Sequence, residues 1–281
     1  MDIALSFASM SFTSLANATT AVVLVTTCLA LSGCAGNRPP SQPGGETVAA
    51  STEERNWGRS LGEVAGHLQP VPKWEHYRLP GKDETRYDFV QADGRVAVHA
   101  SSRSSASMLR TAMDIRPEAL GRLDFSWKVA SLIDGADLGM RESDDAPARV
   151  MLAFDGDRSR FTMRESAMAE LARAVTGEEM PYATLMYVWC NQRPPGTVIV
   201  HPRSARVRSI VVESGKSRLG QWTLYSRDVR ADFERAFGEA PGKLTGVALM
   251  TDSDNTRTQA QAWYGPLRFG TAFAGLGTSS R

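Results

Sequence analysis

The sequence predicts a mainly β domain, a two-sheet jelly-roll or galactose-binding-like sandwich with two or three short helices. Three observations predict it. Beyond Trp74 the dominant pattern is period two, plainest in Leu123-Asp124-Phe125-Ser126-Trp127-Lys128-Val129, which puts Leu123, Phe125, Trp127 and Val129 on one face. Short segments of this kind recur to the end of the chain, as two packed sheets require. Helical spacing is confined to three brief stretches.

In order along the chain, Trp57, Leu61, Val64 and Leu68 recur at helical spacing and predict a short amphipathic helix stopped by Pro70 and Pro72. Strands are predicted at 86–91, 95–100, 108–114, 123–129 and 149–155. A helix then opens at Thr162, with Glu165 three residues on forming a capping box, buries Met168, Leu171, Ala172 and Val175, and ends at Gly177. Strands follow at 182–190 and 206–213. A second helix begins at Asp228 as N-cap, buries Val229, Phe233 and Phe237, and stops at Gly238. The last strands are predicted at 244–251 and 260–269. No repeat of solenoid period is present.

The N-terminal region carries a different signal. Residues 21–31 form an apolar core too short for the roughly 20 residues of a spanning helix, which suits a signal peptide. It runs into Leu31-Ser32-Gly33-Cys34, which resembles the lipobox of bacterial lipoproteins. The resemblance implies cleavage before Cys34, diacylglycerol on its thiol and an acylated amino terminus. At about 0.8 kcal/mol per buried methylene, two or three chains hold a protein to a membrane practically permanently. Ala35 stands where many inner-membrane lipoproteins carry aspartate, implying the periplasmic face of the outer membrane. No Lys or Arg precedes Cys34, a departure from the basic start of most signal peptides. The expected organisation is a signal peptide over 1–33, a lipidated cysteine and flexible tether over 34–56, the sandwich over 57–272, and a flexible tail over 273–281.

Composition narrows the function. The 281 residues carry 32 Lys+Arg against 31 Asp+Glu, a net charge of +1, so no overall field attracts nucleic acid. Three cysteines are too few for a disulfide framework, and Cys190 in Tyr187-Val188-Trp189-Cys190 reads as a buried thiol. Ser214-Gly215-Lys216-Ser217 is no phosphate loop, because Ile210 occupies the position of the first glycine. His67, His76, His99 and His201 lack metal-ligand spacing, and no Gly-x-Ser-x-Gly elbow occurs.

Three polar stretches adjoin strands, at 141–149, 187–193 and 251–256, and loops at strand ends are where sites commonly lie. Asp144, Asp145 and Arg149 form either a ligand clamp or a structural ion pair. The Asp252 loop offers oxygens at alternate positions but has Arg257 and Trp263 where an EF-hand needs glycine and glutamate. Calcium at Asp252 and Asp254 is one reading; a turn stabilised by aspartate-to-backbone bonds is the other, and no cofactor is expected. Of Trp127, Tyr187, Trp189, Trp263 and Tyr264, most should be core, while one or two on an open face would stack on a sugar.

Several segments together resemble a bacterial domain of unknown function, numbered three-zero-four-seven. They are Asp144-Asp145-Ala146-Pro147-Ala148-Arg149-Val150, Tyr187-Val188-Trp189, Val212-Glu213-Ser214-Gly215, Arg227-Asp228-Val229, Phe237-Gly238-Glu239-Ala240-Pro241, Met250-Thr251-Asp252-Ser253-Asp254-Asn255-Thr256 and Ala262-Trp263-Tyr264-Gly265. The resemblance implies no activity. The closing pattern Tyr264-Gly265-Pro266-Leu267-Arg268-Phe269 is similar to the last strand of galactose-binding-like jelly rolls.

The leading expectation is a non-catalytic ligand-binding sandwich at the cell envelope, with a glycan as one candidate ligand. Its candidate site residues are Asp144, Asp145, Arg149, Tyr187, Trp189, Glu213, Asp252, Asp254, Asn255 and Tyr264. One alternative is glycan cleavage by two carboxylates drawn from Asp144, Asp145, Asp252, Asp254 and Glu213. The other is an assembly lipoprotein that docks an envelope protein through an exposed apolar patch.

Overall fold

The computed structural model describes residues 73–270 without a break, together with residues 55, 57–61, 63–64 and 67–68. The signal peptide, Cys34, most of the tether and the C-terminal tail lie outside the described residues.

A 3-10 turn at Arg59–Leu61 leads into a small ladder of β1 (Glu63–Val64) and β2 (His67–Leu68). The larger of the two main sheets contains β3 (Glu75–Arg78), β6 (Ser107–Ile115), β8 (Arg149–Phe154), β9 (Ala183–Cys190), β10 (Val198–His201), β11 (Ser204–Ser214) and β13 (Leu244–Met250), in the order β10-β11-β9-β8-β13-β6-β3. The other contains β4 (Arg86–Ala92), β5 (Arg95–Arg103), β7 (Arg122–Val129), β12 (Thr223–Asp228) and β14 (Gln259–Tyr264), in the order β12-β7-β14-β5-β4, with β15 (Arg268–Phe269) paired to β7. Pairing is antiparallel except between β9 and β11. The chain crosses repeatedly from one sheet to the other, so the fold is a two-sheet jelly-roll sandwich. The predicted class is borne out.

The alternation read from the sequence sets the core. Leu123, Phe125, Trp127 and Val129 point inward from β7 and are at most 4% exposed. They meet Val150, Leu152 and Phe154 of β8 and Leu185, Tyr187 and Trp189 of β9 in one cluster. A second cluster, with Met151, Met186, Val188, Cys190 and Met250, covers the other face of the larger sheet. All eight residues of β9 are therefore buried, which explains why it reads as an unbroken apolar run. Trp57 and Leu61 also join the core, and the Trp57 indole donates to the Tyr264 carbonyl at 2.9 Å.

Two α-helices lie within residues 73–270, α1 (Met163–Thr176) and α2 (Val229–Phe237). Their ends are as predicted. Thr162 accepts from the Glu165 amide, Glu165 returns a bond to the Thr162 amide, and Gly177 takes the left-handed conformation at φ 73°. Asp228 caps α2 and Gly238 closes it at φ 70°. Because α1 is held mainly through its first turn, Thr162→Ala is expected to cost about 1 kcal/mol locally. The readout is faster amide exchange over 163–176 with little change in the sheets.

Other expectations need correction. The helix expected over 57–68 gives way after Leu61, so Val64 and Leu68 stand on paired strands; Gly62 and Gly66 within that span disfavour a continued helix. In α1 only Ala172 of the four expected residues is buried, while Leu171 and Val175 are 41% and 51% exposed. Spacing identified a stripe, but most of that stripe faces solvent. The helix is anchored by Arg206 to Glu165 and by Phe161 stacked on Tyr182. The strand expected over 260–269 breaks at Gly265-Pro266, where proline cannot donate to the ladder; Gly265 itself sits so close to Ser126 that a side chain there would meet its hydroxyl at 2.2 Å.

Candidate functional site

Two of the three polar stretches meet. The loop before β8 packs against the β13–β14 loop, although about a hundred residues separate them in sequence. Arg149 donates from Nε and Nη2 to the two oxygens of Asp252, both at 3.0 Å, and from Nη2 to the Asp144 carbonyl at 2.9 Å. Asp252 Oδ1 also accepts from the Ala146 amide. His201 Nε2 lies 2.9 Å from Asp144 Oδ2, while its Nδ1 accepts from the Arg203 amide, so the ring proton sits on Nε2 and is donated to Asp144. Asp145 accepts from the amides of Asn255 and Thr256 and from the Thr256 hydroxyl. The Asn255 side chain donates to the Asp144 carbonyl, and Lys82 to Asp254. Beneath them Tyr264 donates its hydroxyl to the Met250 carbonyl and accepts from the Arg149 amide.

This assembly is interior. Asp144, Asp145, Arg149 and Asp252 are 3%, 2%, 2% and 0% exposed. Burial opposes the Arg149 charge, but the Asp252 and Asp144 carboxylates outweigh it and raise its pKa. Burial also opposes the Asp144 charge, yet Arg149 and His201 hold its carboxyl below the ordinary value. Burial pushes the Asp252 carboxyl up to about 7 against the pull of Arg149. Geometry decides the state of this pair: a guanidinium bound to both oxygens is the arrangement of an ionised carboxylate. Of the two readings open for Asp144, Asp145 and Arg149, the structure supports the ion pair that fixes two loops.

The same burial weighs on the other readings of this cluster. Asp145, Asp252 and Asp254 bring oxygens within 4.8 Å of one another, a spacing that suits a divalent cation. Arg149 and Lys82 already supply opposite charge there. A cleaving pair must reach a glycosidic oxygen, and Asp144, Asp145 and Asp252 have almost no accessible surface. The side chains of Tyr187, Trp189 and Glu213 bond other partners. Tyr187 is buried and donates to Asp232; Trp189 is buried and donates to the Gly215 carbonyl; Glu213 accepts from the Tyr225 hydroxyl. Tyr187, Trp189 and Tyr264 are thus packing residues whose polar ends are satisfied inside the protein. Cys190 is buried, as its sequence context predicts.

The outer face of the second sheet carries a different constellation. On β14, Trp263 points away from the core because Ala262 and Tyr264 point into it. Its partners across the strands are His99 of β5 and Lys128 of β7. His99 stacks on it with ring centroids 4.7 Å apart, and Lys128 Nζ lies 4.6 Å from its centroid. Asp88 of β4 pairs with His99 on the far side, and Trp222 precedes β12 beside Lys128. The row Asp88, His99, Trp263, Lys128, Trp222 therefore crosses β4, β5, β14 and β7 and ends at the residue just before β12. Asp93, in the β4–β5 turn, accepts from both Lys128 and the Trp222 indole at 2.6 and 2.9 Å. The Arg95 guanidinium lies 4.7 Å above Trp222, and the exposed Gln261 bonds His99. Trp263, Trp222, His99 and Lys128 are half-buried, each fixed by its neighbours yet reachable from solvent.

The sequence had offered Trp263 only as one of five strand aromatics of unknown facing, and Trp222 not at all. The signal for Trp263 was present in β7: once Trp127 is placed inward, Lys128 and its cross-strand neighbour must face outward.

Fold and site together define a two-sheet β-sandwich with a buried loop-locking charge network and an aromatic, cationic row on one outer face. The chain belongs to the family described as Protein of unknown function (DUF3047), whose model matches residues 72–268. No curated protein matches it. Solved structures similar to it include the family 11 carbohydrate-binding module of a cellulosomal cellulase of Clostridium thermocellum. That pair shares 10% identity over 73% of this chain and 91% of the module, with a TM-score of 0.37. The xyloglucanase domain of a type three effector from Sinorhizobium fredii shares 9% identity over 70% of this chain and 92% of its own, at 0.36. The enzymatically active domain of tailspike protein 4 of bacteriophage CBA120 shares 8% over 78% and 23%, at 0.35.

Proposed function

We propose that this protein is a non-catalytic glycan-binding domain, held at the cell envelope by lipid on Cys34, whose ligand lies along the outer face of the second sheet. The observation that carries the reading is the row through His99, Trp263, Lys128 and Trp222. A sugar presents C–H surface on its rings and hydroxyls at its edges; indole surface suits the first, and His99, Gln261 and Lys128 the second. The strands fix these groups before binding, which lowers the entropy cost of association. The site thus moves from the buried loops to the sheet face, while the proposed activity stays as the sequence suggests.

Trp263→Ala is expected to weaken glycan binding by about ten-fold or more, since a central aromatic commonly supplies over 1.4 kcal/mol at an interface. A glycan panel titrated against wild type and variant, with thermal unfolding as control, measures it. Unchanged affinity in a folded variant would remove the sheet face from consideration. Mass spectrometry of the mature amino terminus tests the anchor, and an unmodified Cys34 would sink it.

A further inference from the structure

We infer that the glycan taken by this face is anionic, bearing carboxylate or phosphate groups, and that Arg95 and Lys128 receive its charge at the Trp222 end of the row. This rests on the glycan-binding reading above. Donors on both side chains remain once their internal bonds are counted. Arg95 is exposed at the start of β5 and lies over the Trp222 ring, and among the described residues no carboxylate pairs with it within 4 Å. A cation–π contact does not use up the N–H donors of a guanidinium, whose planar fork matches carboxylate and phosphate.

Lys128 is held in place by its bond to Asp93 and has two further donors. Asp93 is the nearby anion, and its Oδ2 already accepts from both Lys128 and Trp222. At the opposite end, Asp88 is paired with Arg86 at 2.7 Å. The Trp222 end therefore presents two cations beside one engaged carboxylate, next to an aromatic surface. A neutral sugar makes no use of that excess charge; an acidic one does. A nucleic acid, the other polymer combining anions with stacking surface, needs a longer cationic track than two side chains in a chain of net charge +1.

The test titrates the full chain with polygalacturonate, a phosphomannan, carboxyl-reduced polygalacturonate and single-stranded oligothymidylate, at low and high salt. The expected result is binding of at least one acidic polymer about ten-fold tighter than the reduced neutral polymer, with the advantage shrinking as salt rises. The two acidic probes distinguish carboxylate from phosphate. Arg95→Gln is expected to remove about five-fold of the acidic preference and to flatten its salt dependence. Equal affinity for acidic and neutral polymers, with Trp263→Ala still weakening both, would overturn the anionic assignment and leave glycan binding standing. Binding of no polymer, or of oligothymidylate alone, would overturn both.

Discussion

Replacing Arg149 with methionine is expected to cost the fold about 3–5 kcal/mol, the range for breaking a buried ion pair from one side. The guanidinium holds both oxygens of Asp252 and the backbone and side chain of Asp144, all inside the protein. Methionine fills much of the volume and leaves two carboxyls without their cation. Each must then take up a proton or draw in water, and the loops that Arg149 ties together lose their common anchor. Urea unfolding followed by tryptophan fluorescence measures the loss. The double variant Arg149→Met with Asp252→Leu should recover a large part of it, because apolar groups in place of both partners remove the uncompensated charge. A loss under about 1 kcal/mol in the single variant would mean that the network contributes little to the fold. A loss of glycan binding with stability unchanged would return the ligand site to these loops.

The fold was legible where one strand face is wet and the other dry. β7 alternates at every position, so its period, facing and burial follow from the residues alone. β9 was visible as a strand but not as one buried on both faces, since that depends on the second apolar cluster behind it. The loops at 141–149 and 251–256 were conspicuous for their charges. Their mutual bonding was not, because a strand pair forty ångströms or four away looks the same in sequence; only the register of β8 with β13 brings Arg149 opposite Met250 and beside Asp252. The outer row was least legible. Lys128 lies between two core residues, Trp222 precedes a strand too irregular to recognise, and their convergence is created by pairing across β14, β7 and β12.

Tyr264 shows how a residue can resemble a binding group and serve the core, and its two truncations are expected to separate the parts. Its ring packs against Trp127 inside the sandwich at 1% exposure, and Tyr264→Ala should cost about 3–5 kcal/mol, as for other large aromatics emptied from a core. Its hydroxyl joins β14 to the ends of β8 and β13 by donating to the Met250 carbonyl at 2.7 Å and meeting the Arg149 amide and the Thr251 hydroxyl. Burial comes first among the causes that push the phenol pKa upward, so it is a neutral donor near neutral pH. Tyr264→Phe removes that hydroxyl alone and leaves the Arg149 amide short of a partner, so it should cost about 1–3 kcal/mol. Denaturant midpoints for the two variants give the ring and the hydroxyl separately. Neither should alter the affinity per folded molecule for a glycan on the outer face, where Trp263 is the adjoining residue and points the other way. If Tyr264→Phe abolished binding at full stability, the hydroxyl would have to reach a ligand, and the assignment of Tyr264 to the core would fail.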